Sequence, residues 1–206
     1  MWLSIICIRS VAYIIENYIF NMRRYKNPLK KNLLILSGGI EALEGIKVAK
    51  KMGLRTIVCD GNKNAPGRSY ADEFLIGNIY DPDEIKNIIS KYAKKNSIDG
   101  VITIASDAVR SVSAVAKLLS LSGNSMKTSI LSTDKLKMKK VFQKYSLPIP
   151  NFVGISSRNE LHKQIEYFSD AVLKPVDNRG ARGVIRINKN SDIEKAFNYS
   201  MNFSPS

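Results

Sequence analysis

From Leu33 onward the chain alternates short apolar runs with longer stretches in which apolar residues recur at helical spacing. Runs apolar at successive positions suit strands covered on both faces, the condition of a parallel sheet flanked by crossover helices. The pattern predicts strands over 33–36, 56–59, 73–76 and 100–104. Between the first two, Ile40, Leu43, Ile46, Ala49 and Met52 recur every three residues along one helix that Gly53 ends. Asp81 and Pro82 supply a cap and a first-turn proline for a second helix with Ile85, Ile88, Ile89 and Tyr92 inward. Val109, Val112, Val115, Ala116 and Leu119 mark a third helix, which Gly123 and Asn124 break. Residues 33–127 thus read as a small, doubly wound, Rossmann-like α/β domain.

The remainder changes character. A lysine-rich helix over 134–145 is expected to turn Met138, Val141, Phe142 and Tyr145 toward the core. Pro148 and Pro150 mark a link, and a strand over 152–155 follows. Ser157 and Glu160 have the spacing of a capping box ahead of Leu161, Ile165 and Phe168. Strands over 171–174 and 184–187 are expected to form a hairpin around a glycine and arginine loop, and Ser191 with Glu194 to cap a last helix. The expected division is an extension at 1–30, the parallel-sheet domain at 31–128, and an incomplete α+β unit at 129–206.

A chain of 206 residues, 44% hydrophobic and 24% charged, is long enough for a sizeable core, which sets disorder aside. The net charge of +14 is carried by lysines scattered over helix faces, without the interleaved aromatics that a nucleic-acid surface uses for stacking. It therefore reads as solvated surface and no nucleic-acid partner is expected, a basic nucleic-acid-binding domain being the lesser alternative. Residues 2–21 are apolar but interrupted by Arg9, Glu16 and Asn17, so no run reaches the roughly 18 apolar residues of a membrane span. The basic cluster Arg23, Arg24 and Lys26 follows that stretch, the reverse of a signal peptide, and Met22 becomes a candidate start. Cys7 and Cys59 have no metal-ligand spacing and His162 is the only histidine. The composition suits a reducing cytoplasm and suggests neither a zinc site nor a disulfide framework.

Chemistry concentrates in 174–184. Lys174 stands at a strand end, and Asn178, Arg179, Gly180, Ala181, Arg182 and Gly183 follow within one loop. Glycines let backbone N–H groups approach phosphate oxygens, arginines offer forked donors, and the lysine adds a point charge. An ordinary polar hairpin is the alternative. A second cluster runs from Ser132 through Asp134 and Lys135 to Lys140, and on to Ser146, Leu147, Pro148, Ile149 and Pro150. Taken alone it is a capped amphipathic helix. Ser37, Gly38 and Gly39 follow the first strand, Asp60 ends the second and Asp107 follows the fourth. Open α/β sheets hold ligands at such strand ends, although a turn or cap accounts for each of these residues equally well. The stretch 61–69 is not a P-loop, being one residue too long and carrying Arg68 where lysine is required.

In this order the two clusters resemble the ATP-grasp superfamily, in particular its carboxylate ligases of the biotin carboxylase and carbamoyl phosphate synthase type. The helix there opens with an Asp-Lys pair, as Asp134 and Lys135 do, and ends in a proline link like 146–150; the later lysine and glycine-rich flap correspond to Lys174 and 177–183. The resemblance covers 33–206 and implies a pre-ATP-grasp domain followed by an incomplete first ATP-grasp subdomain. It implies ATP as cofactor, with Lys135 and Lys174 on its phosphates and adenine side. Asn178, Arg179, Gly180, Ala181, Arg182 and Gly183 would close over the β and γ phosphates. It further implies a small-molecule carboxylate, activated as an acyl phosphate and passed to an amine-type nucleophile. The Glu and the Glu-Asn pair that hold magnesium in the family have no counterpart before Ser206. Mg2+ is therefore expected only in an intact form, no metal ligand or catalytic residue is assigned, and negligible ligase activity is expected of this chain alone. A noncatalytic nucleotide-binding module is the rival, and an oligomer or a complementing chain stays open.

Overall fold

The structure, a computed structural model, describes residues 30–178 and 180–204. Residues 1–29, which hold Cys7 and Met22, together with Arg179 and 205–206, lie outside them. Four strands, β1 (Asn32–Leu36), β2 (Arg55–Asp60), β3 (Glu73–Ile76) and β4 (Gly100–Ile102), form a parallel sheet in the order β3-β2-β1-β4. Leu34 lies opposite Ile57 on one side and Val101 on the other.

The two central strands are buried on both faces, as their continuous apolar runs require. Alternation along each strand divides the core in two. Leu34, Leu36, Ile57 and Cys59 pack with Ile85 and Ile89 of helix α2 (Pro82–Ala93) and Val115 of α3 (Val109–Leu118). Ile35 and Val58, on the opposite face, meet Ala42, Ile46 and Ala49 around α1 (Leu43–Lys51). Each large aliphatic side chain so buried contributes about 1.5–3 kcal/mol before entropy is subtracted. β4 stops at Ile102, short of the expected 104; beyond it the Thr103 hydroxyl donates to the Leu36 carbonyl at 2.7 Å and Ala105 takes a positive φ of 51°.

The first helix departs from its expected stripe. Ile40 lies in a preceding 3-10 turn and is 68% exposed, and Met52, the C-cap, is 52% exposed. Steps of three residues fall about 60° short of a full helical turn, so a long row of them winds off the buried face. Ile46 and Ala49 are buried as expected, and Ala42 joins them where Ile40 and Met52 were expected. For α2 the expectation holds: Asp81 accepts hydrogen bonds from the Asp83 and Glu84 N–H groups, and Pro82 opens the helix.

Beyond α3 the sequence signals no helix before 134, yet α4 (Met126–Thr133) forms there. The Ser125 hydroxyl caps it by accepting from the Thr128 N–H, and buried Ser129 is hydrogen-bonded to Ser113 of α3. Serine and threonine contacts do the work that an apolar stripe does elsewhere, and they leave no periodic trace. Helix α5 (Lys135–Lys144) then has no fully buried residue, and Tyr145, expected inside, is its C-cap and 69% exposed.

The strand expected at 152–155 does not form: the segment has no regular secondary structure and joins neither sheet. Helix α6 (Arg158–Phe168) follows, then β5 (Asp170–Leu173), β6 (Ile185–Asn188) and α7 (Ile193–Met201). β5 and β6 pair antiparallel, as expected of the hairpin. Two strands alone are marginal in water, so the pair depends on the core made by Leu161, Ile165, Ile187, Ile193 and Ala196 beneath it. The Ser157 hydroxyl accepts from the Glu160 N–H, and the Glu160 carboxylate accepts in return from Ser156 N–H at 2.7 Å, one residue before the expected partner. The cap of α7 is Asp192, which accepts from Lys195 N–H, while the Ser191 hydroxyl accepts from Asn188 N–H. A carboxylate complements the positive end of a helix better than a hydroxyl does. Among the described residues no helix is long and apolar enough to cross a membrane.

Candidate functional site

Lys135 opens α5 beneath the cap of Asp134, whose carboxylate accepts the Lys137 N–H at 2.9 Å. Its own N–H donates to the Val176 carbonyl at 2.9 Å. Its ammonium donates to the same carbonyl at 3.4 Å and to the Asn178 carbonyl. The start of the helix and the entrance to the glycine loop are therefore one hydrogen-bonded unit. Burial, and then the neighbouring Lys174 ammonium, pull the Lys135 pKa below the usual lysine value, against Asp177, Asp107 and Asp134. Two cations gathered in this way make a local positive field that a polyanion relieves.

Lys174 follows β5 directly and is exposed. By the two-residue period of a strand it shares the exposed side of Asp170 and Val172, opposite the packed Ala171 and Leu173. In the loop, Gly180, Ala181 and Gly183 all take positive φ, at 66°, 57° and 71°. Gly180, Ala181 and Arg182 are exposed at the tip, and the Val184 N–H closes the turn on the Ala181 carbonyl at 3.2 Å. Gly183 is buried, and a Cβ there would lie 2.7 Å from Pro175 Cγ and 3.0 Å from Phe203 Cβ. The Asn178 amide donates to the Phe203 carbonyl at 2.7 Å. Arg179 belongs to this loop in sequence and lies outside the described residues.

Beside these groups a groove of about 530 Å³ runs between α5, the 151–155 segment, α6 and the hairpin. Its lining combines apolar Leu136, Phe152, Ile155 and Leu173 with the cations Lys135, Lys139 and Lys174 and with the Arg186–Asp170 ion pair. Lys139 holds its ammonium 5.3 Å from the centre of the Phe152 ring. The volume is that of a small-molecule site, and apolar walls with converging cations suit a flat base joined to a charged tail.

A second cavity, of about 330 Å³, lies at the carboxyl ends of the parallel strands, where the strand order turns back between β1 and β4. Ser37, Gly39, Asp60, Asn78, Tyr80 and Ser106 line it. The Asp60 carboxylate accepts from the Gly38 N–H at 2.7 Å and the Asn62 N–H at 2.8 Å. Gly38 is close-packed, since a Cβ there would stand 3.0 Å from that of Ala65. The fold thus brings Ser37, Gly39 and Asp60 together, whereas Asp107 lies within electrostatic reach of Lys135. Arg186 of β6, and Asn78 and Tyr80 of the loop after β3, escaped the sequence reading because no motif joins them.

Comparison with known proteins agrees with this fold. Residues 46–123 match the family model of the ATP-grasp N-terminal domain. A formate-dependent phosphoribosylglycinamide formyltransferase of Prochlorococcus marinus (strain NATL2A) is 24% identical over 177 residues, which are 85% of this chain and 45% of that protein. The chain thus spans less than half the length of the curated relatives it matches. Among solved structures, a phosphoribosylglycinamide synthetase from Anaerococcus prevotii has a TM-score of 0.59 and 28% identity, over 86% of this chain and 44% of the other. An N5-carboxyaminoimidazole synthetase from Staphylococcus aureus, complexed with ADP, has a TM-score of 0.65 and 20% identity, over 86% and 47%. The biotin carboxylase domain of Hydrogenobacter thermophilus 2-oxoglutarate carboxylase, in complex with MgADP, ADP and bicarbonate, has a TM-score of 0.64 and 19% identity, over 85% and 42%. The domain matched over 46–123 and the shared fold make this chain similar to the amino-terminal portion of ATP-grasp proteins.

Proposed function

We propose that the chain binds ATP as the amino-terminal part of an ATP-dependent carboxylate ligase. The observation that carries this is the convergence of Lys135, Lys174 and the loop stem at Val176 and Asn178 beside an apolar groove of nucleotide size. In this reading the groove takes the adenine, and the two ammonium groups face the phosphates. The tip residues Gly180, Ala181 and Arg182, with Arg179, fold over the β and γ phosphates. Ammonium groups and backbone donors held in place before the ligand arrives are worth more to a polyphosphate than mobile ones, because less ordering is left to do.

The substrates are a small-molecule carboxylate, activated as an acyl phosphate, and an amine-type nucleophile. The polar cavity between β1 and β4, tied by Asp60, is the place in this chain for one of them. ATP would arrive with Mg2+. Among the described residues no three His, Cys, Asp or Glu side chains gather into a metal-binding group, and magnesium is assigned no ligand here.

Calorimetric titration of the full chain with ATP and Mg2+ tests the proposal. Saturable binding that weakens in Lys174→Ala supports it. No binding at about 1 mM ATP, where even a weak site of this kind fills appreciably, overturns it. Following ADP release in the same samples separates a ligase from a noncatalytic nucleotide-binding module.

A further inference from the structure

We infer that the end of α7, with residues 203–204, is the seat of the two stems of the glycine loop, 177–178 and 183, and that Ser200 and Asn178 are its positioning residues. Three hydrogen bonds join this segment to both stems of the loop. On the entering stem, the Asn178 amide donates to the Phe203 carbonyl at 2.7 Å, and the Ser204 hydroxyl donates to the Asp177 carboxylate at 3.0 Å. On the leaving stem, the Ser200 hydroxyl donates to the Gly183 carbonyl at 2.9 Å.

Ser200 is 5% exposed. A serine in a helix ordinarily turns its hydroxyl to its own backbone one turn back. Here it reaches across to a residue 17 positions away and satisfies a carbonyl that the buried loop stem leaves without a strand partner. Gly183 is packed between Pro175 and Phe203, and the Phe203 ring meets Tyr199 edge-on at 5.3 Å between centroids. α7 is itself rooted in the core through Ile193 and Ala196. The loop therefore has two fixed stems and an exposed tip at 180–182.

Fixed stems with a free tip are what a loop needs if it is to close over phosphates at low entropic cost. The Asn178 amide, in particular, is spent on holding the stem. The role given to the tip rests on the ATP-binding reading; the anchoring itself does not.

Ser200→Ala and Asn178→Ala in the full chain test the seat. Each is treated with trypsin in the absence of nucleotide, and cleavage after Arg182 is compared by mass spectrometry with cleavage at the lysines of α1 and α2. Losing one such hydrogen bond should raise the Arg182 rate roughly fivefold through more frequent local opening, with the α1 and α2 sites unchanged. ATP affinity should fall by a similar factor in both variants.

Cleavage at Arg182 at the wild-type rate in either variant overturns the inference. So does acceleration spread evenly along the chain, because that marks general unfolding. If Ser200→Ala does not fold, Asn178→Ala decides alone. If the wild-type chain binds no ATP, the nucleotide reading fails, while the Arg182 ratio, measured without nucleotide, still decides the seat.

Discussion

Asp60 and Gly38, 22 residues apart in sequence, are joined by the Gly38 N–H donating to Asp60 Oδ2 at 2.7 Å. The other carboxylate oxygen accepts from the Asn62 N–H, so one side chain fixes the turns that follow both β1 and β2. Asp60→Ala leaves two N–H groups without their acceptor and should cost about 1–3 kcal/mol. Urea unfolding should show a lower midpoint with unchanged slope. Asp60→Asn keeps one acceptor oxygen and should lose less. An Ala variant as stable as the parent would mean that water serves the two turns equally well.

Lys174→Ala and Lys135→Ala should each weaken ATP binding roughly tenfold or more, the scale of one charge-assisted hydrogen bond of about 1.5–3 kcal/mol. Adenosine, which carries no phosphate, should lose little in either variant. Parallel titrations with the two ligands separate the contributions, and equal losses for both would take the lysines off the phosphates. Lys135→Ala should also free the Asn178 carbonyl, while the backbone N–H at 135 still holds Val176.

Gly183 and Gly180 share a left-handed backbone and differ in their surroundings. Any Cβ at Gly183 meets Pro175 and Phe203, whereas at Gly180 the nearest atom is Arg182 Nε at 4.0 Å. Gly183→Ala should therefore cost about 2–3 kcal/mol, from backbone strain plus overpacking, and Gly180→Ala about 1 kcal/mol from strain alone. Thermal melts of the two variants should rank in that order. The reverse order would place the strain at the tip.

Acid should weaken the parallel sheet through Asp72. Burial by itself would raise this carboxyl, but hydrogen bonds from the Thr56 N–H, Lys50 and the Thr56 hydroxyl outweigh it and bring the pKa down to about 2. Since the folded value lies below the ordinary carboxylate value of about 3.9, the stabilisation is complete above that value and is lost as pH falls toward 2. Asp99, held down chiefly by the Asn32 N–H, acts in the same direction. Melting temperatures taken from about pH 6 to about pH 2 should fall less steeply in Asp72→Asn than in the parent; equal slopes would remove Asp72 from the acid response.

The sheet was legible because burial on both faces writes itself as continuous apolar runs, which Leu33 to Leu36 and Thr56 to Cys59 supply. Caps such as Asp81 were legible for the same kind of reason, a local acceptor serving local donors. Lys135, Lys174 and the loop could be named individually, since family resemblance attaches to short motifs. Their meeting could not be read off, because Lys135 reaches Val176 across 41 residues. α4 was missed where serine hydroxyls replace an apolar stripe, and the 152–155 strand was expected where an apolar run finds no ladder partner. Phe203 and Ser200 carry no signal at all, since their polar contacts go to a loop that lies earlier in the chain.

The pairing of Leu34 with both Ile57 and Val101 bears on how such a chain diversifies. The loops after β1 and β4 are neighbours because their strands are adjacent, while β2, β3 and their connections form an excursion toward one edge of the sheet. Insertions or substitutions in that excursion would leave Ser37 and Ser106 in their places on the cavity wall. The cavity wall that Asn78 and Tyr80 supply can thus be reshaped without touching the pairing of β1 with β4.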